Sequence, residues 1–495
     1  MTSLAVFFSP KTIAVIGASR EPEKPGHVIF SILLENKREG LLQAGVYPVN
    51  PFVDEILGIK TYPSVKSVPE EVDLAIIVVP ASIVPKAMRE CGEKGVKGAI
   101  VISAGFSEVG NYELEEEVKE IAKEFGIRVV GPNCIGVLSP HTGVDTIFLP
   151  THKVIEGGKR ILSTPRPKPG YVALISQSGA FGTAAMDYMV GEGIGLSAFI
   201  SYGNKADVDE ADLLEYFLTD ERTRVILMYV ESIERGRKVV NVAGKVSLRK
   251  PIVALKAGRT KEGARAAASH TAALAGVDEI YEAAFRRCGI IRAYDMEELF
   301  DMAKALVMQP PSKGERLAVV TDGGGAGVMA TDMAEILGLR VPELKGETRE
   351  VLEKYRRNGI LPRFSSVANP IDLTGSATSD MYLEALKVLM KSDEVDLILV
   401  LALHQVPGIE DPVKLARDIG KLVRDYEFSK PVLGVDTGWS EAAILERKEF
   451  DLSSIPSYPM PERAVKGAKA LYEYGKYLRL KGFLEEYLNK WSPAT

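Results

Sequence analysis

The stretch Thr12–Ser19, TIAVIGAS, runs a short apolar segment directly into a glycine turn. An unbroken apolar run of this length is typical of a strand that is buried on both faces of a sheet. Gly17 follows the run at once, and a glycine lets the backbone turn sharply towards a following helix. The stretch therefore predicts the first strand of a parallel sheet, with its carboxyl end at Gly17.

Further apolar runs alternate with helical patterns through the first 145 residues. The predicted strands are Thr12–Ile16, Val46–Val49, Leu74–Val79, Ala99–Ile102 and Arg128–Val130. The segments between them, such as 82–95 and 112–125, have the length and period of helices. This alternation predicts a doubly wound α/β sheet, and we assign residues 1–145 to a Rossmann-like domain.

Ligands of doubly wound sheets bind at the carboxyl ends of the strands, so the residues found there are informative. The turn after the first strand lacks the complete GxGxxG pattern, which disfavours ordinary NAD binding. It keeps Gly17 and adds Lys24 in the segment GASREPEKPG, which suits a phosphate-bearing, nucleotide-like ligand. Turn chemistry alone is the alternative explanation of these residues.

Segments rich in proline, glycine and lysine separate two further predicted α/β domains, 146–310 and 311–495. In the first, a strand over residues 171–175 ends in SQSG and leads into a helix. In the second, a strand over 316–321 runs into the glycines of 323–327. Strand–glycine–helix junctions direct free N–H groups at one point, so each predicts an anion site. Ordinary helix capping by serine is the alternative for the first.

His270 lies among small residues in the stretch 263–276, GARAAASHTAALAG. A neutral histidine can act as a nucleophile near pH 7, although an incidental histidine on an alanine-rich helix is the alternative. Glu231 follows a predicted strand and could fix the tautomer of a histidine, or it could be a solvated strand-end carboxylate. Two anion sites beside such a histidine predict phosphoryl transfer to His270, because helix N-termini attract phosphate.

Composition excludes several classes of protein. The chain has 495 residues, a net charge of −6 and three widely spaced cysteines. This balance gives no reason to expect a nucleic-acid partner, and the cysteines favour a reducing cytoplasm. No apolar run predicts a membrane span, and the N-terminus has no basic region of a signal peptide. The spacing of His141, His152 and His404 predicts no metal site, and His27 is interpreted as a surface histidine at a helix N-terminus, with contact to a phosphate as the alternative. Abundant Lys, Arg and Glu with scarce Gln favours a thermophile.

Eight motifs in a fixed order give the chain a family resemblance. The sequence resembles the NDP-forming acyl-CoA synthetases, in particular the alpha subunits of ADP-forming acetate–CoA ligases, which are relatives of succinyl-CoA synthetase. The motifs are IAVIGAS (13–19), VGPNCIGV (130–137), ALISQSGAFG (173–182), SYGNKADVDEADLLEYF (201–217), YVESI (229–233), SHTAALAG (269–276), DGGGAGVMATD (322–332) and NPIDLTG (369–375).

The resemblance implies a CoA-binding Rossmann-like domain followed by two flavodoxin-like CoA-ligase domains. It also implies that His270 is phosphorylated on a mobile loop and that Glu231 holds the phosphohistidine. The implied phosphate-binding residues are Ser176, Gln177, Ser178, Gly179, Gly323, Gly324, Gly325, Ala326 and Gly327. The implied CoA-binding residues are Gly17, Ala18, Ser19, Lys24, Pro25, Asn50, Pro51, Val79, Pro80, Ser103, Ala104, Gly105, Phe106 and Asn133.

The implied activity is that of an acid–thiol ligase, acyl-CoA + phosphate + ADP ⇌ acid + CoA + ATP. No stretch resembles the family's ATP-grasp domain, so we expect a separate beta chain in an α2β2 assembly, with Mg²⁺ bound beside the nucleotide on that chain. Two alternatives are a non-catalytic CoA sensor and a ligase of the same mechanism for succinate or for branched or aryl acids. The basic segment between Thr142 and Gly170 departs from the family pattern, and we expect a hairpin there.

Overall fold

The computed structural model describes residues 4–271 and 277–493, and for residues 267–271 it describes the backbone alone. The chain forms two compact units, Met1–Arg292 and Ala293–Thr495. Three α/β sheets, each with a parallel core, account for most of the strands. The predicted α/β fold class is therefore confirmed.

The first sheet is built from five parallel strands in the order β2-β1-β5-β6-β7. Its strands, with the small hairpin β3–β4, are β1 (Thr12–Ile16), β2 (Gly45–Val49), β3 (Glu55–Ile56), β4 (Ile59–Lys60), β5 (Leu74–Ile77), β6 (Gly98–Val101) and β7 (Arg128–Val130). Its helices are α1 (Ala5–Phe8), α2 (Pro25–Arg38), α3 (Val84–Lys94) and α4 (Tyr112–Phe125). Every residue of β1 is buried, as its apolar sequence requires.

The second sheet has seven strands in the order β16-β15-β14-β12-β13-β8-β9. The strands, with the hairpin β10–β11, are β8 (Gly136–Ser139), β9 (Val144–Asp145), β10 (His152–Val154), β11 (Arg160–Leu162), β12 (Pro169–Ser176), β13 (Leu196–Ser201), β14 (Val225–Val230), β15 (Ile252–Lys256) and β16 (Ile290–Ala293). The helices are α5 (Gly179–Gly191), α6 (Glu210–Thr219), α7 (Gly236–Val246), α8 (Lys261–Thr271) and α9 (Asp278–Cys288).

Strands β8 and β9 lie within the predicted first domain, but they pair in the second sheet. β8 is antiparallel to β13, and β9 is antiparallel to β8. Asp145 of β9 forms an ion pair with Arg166 at 2.7 Å. The chain thus passes from the first sheet to the second within the few residues between β7 and β8, while the domain boundary at 145/146 stays a prediction.

The basic segment between Thr142 and Gly170 contains the expected hairpin. β10 and β11 pair antiparallel, with Lys153 opposite Ile161. The side chains of the hairpin are mostly exposed. Within the described part of the chain, no third strand pairs with the hairpin. A two-stranded ribbon is only marginally stable in water by itself.

The C-terminal unit contains a six-stranded sheet in the order β18-β19-β17-β20-β21-β22, parallel except at β18. Its strands are β17 (Leu317–Thr321), β18 (Ser366–Val367), β19 (Ile371–Asp372), β20 (Leu397–Leu401), β21 (Val432–Val435) and β22 (Ser457–Tyr458). Its helices are α10 (Met296–Met308), α11 (Gly324–Ile336), α12 (Gly346–Arg357), α13 (Ser379–Lys391), α14 (Pro412–Asp425), α15 (Glu441–Leu452), α16 (Pro461–Lys481) and α17 (Leu484–Lys490).

Helix α10 lies within the predicted second domain, 146–310, but it is grouped with the C-terminal unit, where it packs on α16. The buried carboxylate of Asp301 accepts hydrogen bonds from Arg463, from Nε to Oδ2 at 3.1 Å and from Nη2 to Oδ1 at 2.6 Å. Two parallel bonds of this kind fix the relative position of the helices as well as neutralising the charge. The predicted boundary at 310/311 stays a prediction.

Several helices begin at a side-chain cap that the sequence supplies. Asp209, Asp295 and Asp411 each accept a hydrogen bond from the backbone N–H three residues on, at 2.7–3.0 Å. Such caps satisfy a donor that the helix itself leaves open. Within the described residues, none of the helices combines the length and apolar character that crossing a membrane requires.

Candidate functional site

A cavity of about 900 Å³ opens at the carboxyl ends of the first and second sheets, within the unit Met1–Arg292. Predicted CoA-binding residues that line it are Gly17, Ser19, Lys24, Pro25, Asn50, Val79, Pro80, Ser103, Ala104 and Asn133. Predicted residues of the phosphate and histidine chemistry that line it are Gln177, Ser178, Gly179 and Glu231. The cavity is large enough for a nucleotide-sized ligand, and it joins both predicted sites.

The turn after β1 is shaped for close approach of the backbone. Gly17 has φ +93°, and its N–H donates to the Val49 carbonyl at 2.9 Å. A Cβ at Gly17 would overlap the carbonyl oxygen of Val78, and a Cβ at Gly26 would overlap the carbonyl of Gly17 itself. Asn50 Nδ2 donates to the Ala18 carbonyl at 2.8 Å and holds the turn from the neighbouring strand end.

Replacing Gly17 by alanine should destabilise the unit and weaken CoA binding. The left-handed backbone at this position disfavours any side chain, and the added Cβ would overlap the Val78 carbonyl. We expect about 1–3 kcal/mol from the strained backbone alone. Denaturant titration and calorimetric titration with CoA measure the two effects. Gly40→Ala is the matched control, since Gly40 has φ +78° but open space around it. Equal losses in the two variants would show that the close contact at Gly17 is unimportant.

The end of β12 and the start of α5 form the predicted phosphate segment. Ser178 caps α5, and its Oγ accepts a hydrogen bond from Phe181 N at 3.3 Å. The next N–H groups belong to the first turn of the helix, which provides no acceptors for them. These donors and the positive end of the helix dipole suit a phosphate group.

Gln177 connects this segment to the end of β14. Its Oε1 accepts hydrogen bonds from Glu231 N at 2.9 Å and from Ser232 N at 3.1 Å. The backbone N–H of Gln177 donates to the Tyr229 carbonyl at 3.1 Å. Glu231 is 6% exposed and lies on the cavity wall. Burial and the neighbouring Glu231 carboxylate raise the pKa of Tyr229 to about 12. Gln177 thereby fixes the position of Glu231 relative to the start of α5.

Lys205 is a functional candidate that composition and spacing did not single out. Its side chain is 5% exposed, and Nζ lies 3.3 Å from Glu210 Oε1 and 3.0 Å from the Ser232 carbonyl. Burial raises the pKa of Glu210, and Lys205 opposes that rise. Its location within the motif 201–217 was the only sequence signal. Lys205 thereby supports the Glu231–Ser232 segment of the cavity wall.

Asn204 connects the two sheets beside the same cavity. Its Nδ2 donates to Glu108 at 2.6 Å, and its Oδ1 accepts from Asn133 at 3.2 Å. Burial alone would raise the pKa of Glu108, but hydrogen bonds from Gly105 N–H and Asn204 lower it. Glu108 and Asn204 therefore line the cavity as a charged and a polar group that the sequence prediction omitted.

Some predicted site residues do not lie on the cavity wall. These are Ala18, Pro51, Gly105, Phe106 and Ser176. Ala18, Phe106 and Ser176 are fully buried, and Pro51 is exposed. Ser176 Oγ donates to the Ser178 carbonyl at 2.6 Å, so it shapes the turn and does not face the cavity. For these positions direct contact with a ligand stays a prediction.

His270 lies in helix α8, but its side chain falls outside the described residues. Residues 272–276 of the predicted loop lie outside the described ranges altogether. The phosphorylation of His270 and its pairing with Glu231 stay predictions.

The predicted second anion segment, Gly323–Gly327, lies in the C-terminal unit. Gly323 caps α11, which begins at Gly324, so the glycines form the first turn of the helix. Asp322 precedes them; it is 5% exposed, and its Oδ2 accepts from Leu403 N at 3.0 Å. Burial raises the pKa of Asp322 to about 6, and Asp436 adds to the rise. Whether this segment binds phosphate stays a prediction.

Replacing Asp322 by asparagine should change how the stability of the chain depends on pH. The folded state binds the Asp322 proton more tightly than the unfolded state, whose pKa is near 3.8. The stabilisation is fully present below pH 4 and is lost as the pH rises through about 6. The variant should therefore gain up to about 3 kcal/mol relative to the natural chain between pH 4 and 7, measured by denaturant titration. The exposed Asp425→Asn variant should show no such gain; equal behaviour of the two would contradict the prediction.

Two sequence families match the chain where the sheets lie. Residues 11–140 match the family described as a CoA binding domain. Residues 169–306 match the family described as a succinyl-CoA ligase like flavodoxin domain. The first match covers the first sheet, and the second covers the parallel part of the second sheet together with Gln177 and Glu231.

Similar proteins match over nearly the whole chain. It is 42% identical over 487 residues to the alpha subunit of acetate–CoA ligase [ADP-forming] I from Pyrococcus furiosus, covering 96% of this chain and 98% of that one. It is 41% identical to the acetate–CoA ligase [ADP-forming] of Methanocaldococcus jannaschii, covering 97% of this chain and 64% of that protein. A solved structure from Ca. Korarchaeum cryptofilum, dinucleotide forming acetyl-coenzyme A synthetase 1 in complex with phosphate and ADP, superposes with a TM-score of 0.86 at 42% identity, covering 97% and 99% of the two chains.

A CoA-binding sheet joined to a succinyl-CoA-ligase-like sheet defines the class of NDP-forming acyl-CoA synthetases. Within that class, the chain belongs to the family of ADP-forming acetate–CoA ligase alpha subunits. The family inferred from the eight motifs is confirmed.

Proposed function

We propose that this chain is the alpha subunit of an ADP-forming acetate–CoA ligase, which converts acetyl-CoA, phosphate and ADP into acetate, CoA and ATP. The observation that carries the proposal is the single cavity that joins the strand ends of the CoA-binding sheet to Ser178, Gly179 and Glu231. A thioester held by the first sheet and a phosphate held by α5 would meet in this cavity. Such proximity lowers the barrier between two reactants.

The reaction would proceed in three balanced steps. Phosphate attacks the thioester carbonyl, the C–S bond breaks, and acetyl phosphate and CoA form. A ring nitrogen of His270 then attacks phosphorus, the bond to the acetate oxygen breaks, and acetate leaves. ADP finally takes the phosphoryl group from His270. The N–H groups of α5 would stabilise the phosphate charge, and Glu231 would orient the imidazole.

Nucleotide turnover would need a second chain. The similar P. furiosus protein is named as an alpha subunit, and this chain spans only 64% of the M. jannaschii ligase, whose name carries no subunit designation. We infer a beta chain with an ATP-grasp domain in an α2β2 assembly, which would bind ADP together with Mg²⁺. Three buried, unpaired cysteines accord with a cytoplasmic setting.

A labelling experiment tests the proposal. The purified chain is incubated with acetyl-CoA and radiolabelled phosphate, with and without the candidate beta chain, and the protein is examined for label that acid removes and base leaves in place. We expect phosphohistidine at residue 270, and ATP only when the beta chain and ADP are added. ATP formation by the single chain would contradict the two-chain assignment.

A matched variant separates His270 from other histidines. His141 is exposed and its ring contacts the Gly170 carbonyl at 2.9 Å, away from the cavity. The His141→Ala variant should be labelled like the natural chain. Absence of label in the natural chain with the beta chain present, while CoA still binds, would exclude the phosphohistidine mechanism.

A further inference from the structure

The sheet of the C-terminal unit brings together a serine, a histidine and an aspartate. Asp436 directly follows β21, and His404 follows β20 by three residues. β20 and β21 are neighbouring parallel strands in which Leu401 pairs with Val435, so both residues lie at one edge of the sheet. Ser440 begins helix α15 immediately after the same loop.

The three side chains form a continuous hydrogen-bonded chain. His404 Nδ1 lies 2.9 Å from each carboxylate oxygen of Asp436, and its Nε2 lies 2.8 Å from Ser440 Oγ. A carboxylate accepts only, so Nδ1 carries the proton and the Nε2 lone pair accepts the Ser440 hydroxyl hydrogen. Asp436 is fully buried, the His404 side chain is 9% exposed, and Ser440 is exposed to solvent. The charge is thus shielded while the hydroxyl is accessible.

Two residues of α15, Arg447 and Glu446, lie beside Asp436. Arg447 Nη1 donates to the Asp436 carbonyl at 2.7 Å and to the Gly438 carbonyl at 2.9 Å. Glu446 is fully buried, and no N–H or O–H group of the described residues donates to its carboxyl oxygens. Burial and the nearby Asp436 carboxylate raise the pKa of Glu446 to about 10, so Glu446 keeps its proton and adds no second negative charge beside Asp436.

The start of α15 supplies donors beside the hydroxyl. Ala443 N donates to Ser440 Oγ at 3.2 Å, which leaves the hydroxyl hydrogen for His404. The N–H groups of Glu441 and Ala442 belong to the first turn and have no acceptor within the helix. Unsatisfied N–H groups of this kind can stabilise the negative oxygen that develops when a serine attacks a carbonyl group. Exposed Trp439 next to Ser440 offers an apolar surface for the acyl or leaving group.

We propose that Ser440, His404 and Asp436 form a second catalytic centre, which hydrolyses small activated carboxylic esters or thioesters through an acyl-serine. Ser440 Oγ attacks the carbonyl carbon, and His404 Nε2 takes the hydroxyl proton. The bond to the leaving oxygen or sulfur breaks, and that atom receives the proton from His404. Water then attacks the acyl-serine carbonyl while His404 Nε2 takes a proton from it; the acyl–Oγ bond breaks, His404 returns that proton to Ser440 Oγ, and the free acid leaves. Asp436 is a positioning residue that keeps the proton on Nδ1.

The test uses the full chain and an activity-based fluorophosphonate, which bonds only to activated serines. We expect an adduct on Ser440, mapped by mass spectrometry, and hydrolysis of p-nitrophenyl acetate that the adduct removes. Asp436→Asn should slow labelling by at least ~100-fold, since an amide permits the wrong tautomer. Ser64 is the matched control, because it caps a helical turn but its hydroxyl donates to Glu90, and it forms no hydrogen bond to a histidine among the described side chains.

Each outcome decides the proposal. Labelling of Ser440 but not Ser64, lost when urea unfolds the chain, supports it even if the Asp436→Asn variant proves unstable. No adduct on Ser440, or equal yields on Ser440 and Ser64, overturns it and leaves Ser440 as a helix cap that His404 braces.

Discussion

Replacing His270 by alanine is expected to abolish ATP formation from acetyl-CoA, phosphate and ADP in the assembled ligase, by more than ~1,000-fold. The reason is chemical: alanine has no nitrogen to accept the phosphoryl group, and the hydroxyl groups of the adjacent Ser269 and Thr271 are far weaker nucleophiles at neutral pH than an imidazole. A coupled ATP assay at saturating substrates measures the loss, and it should appear in kcat and not in KM for acetyl-CoA.

The same variant should bind CoA with near-normal affinity. The described residues of the cavity wall come mainly from strand ends and from the starts of α2 and α5, and none of them belongs to residues 261–266 of α8. Calorimetric titration with CoA checks this, with His141→Ala as the matched histidine change. If affinity fell together with turnover, His270 would be a structural support of the CoA site, and the separate roles assigned here would be wrong.

Replacing Lys205 by methionine should lower the free energy of unfolding by about 3–5 kcal/mol. Glu210 is 1% exposed and would lose its only described cationic partner, while Tyr202 OH at 3.1 Å would remain its donor. Leaving a buried carboxylate without a partner lowers the free energy of unfolding by far more than the intact ion pair raises it. Denaturant titration of the full chain measures the change.

A second substitution distinguishes loss of the ion pair from simple loss of packing. Adding Glu210→Gln to Lys205→Met removes the unpaired charge but keeps an acceptor for the Tyr202 hydroxyl. The double variant should regain at least ~1 kcal/mol over the single variant. A double variant as unstable as the sum of both single changes would mean that the charges do not interact across the 3.3 Å gap.

The parallel sheets were predictable because strands that are buried on both faces of a parallel sheet consist of unbroken runs of apolar residues. β1 coincides with the predicted Thr12–Ile16, and helix α4 with the predicted 112–125. The junctions at Gly17 and Ser178 were also predictable, since glycine or serine between a strand and a helix has a local physical reason. These features depend on residues that are adjacent in the chain.

What was missed depends on residues that are distant in the chain. His404 was dismissed for lack of ligand spacing, yet its partner Asp436 lies 32 residues away on the next strand. Lys205 likewise contacts Ser232, which lies 27 residues further along the chain. Neither pair leaves a periodic or spacing signal, because only the order of strands in the sheet brings the side chains together.

The pairing of β8 with β13 has a consequence for how the protein is made. β8 ends at Ser139, whereas β13 begins at Leu196, so the ribosome must add roughly 60 residues before the partner strand exists. At about 5–20 residues per second this delay lasts roughly 3–12 s. During it the first sheet can already close, but β8 and β9 present open edges to the crowded cell. The nascent chain is therefore most exposed to misassembly, and most in need of a chaperone, in that interval.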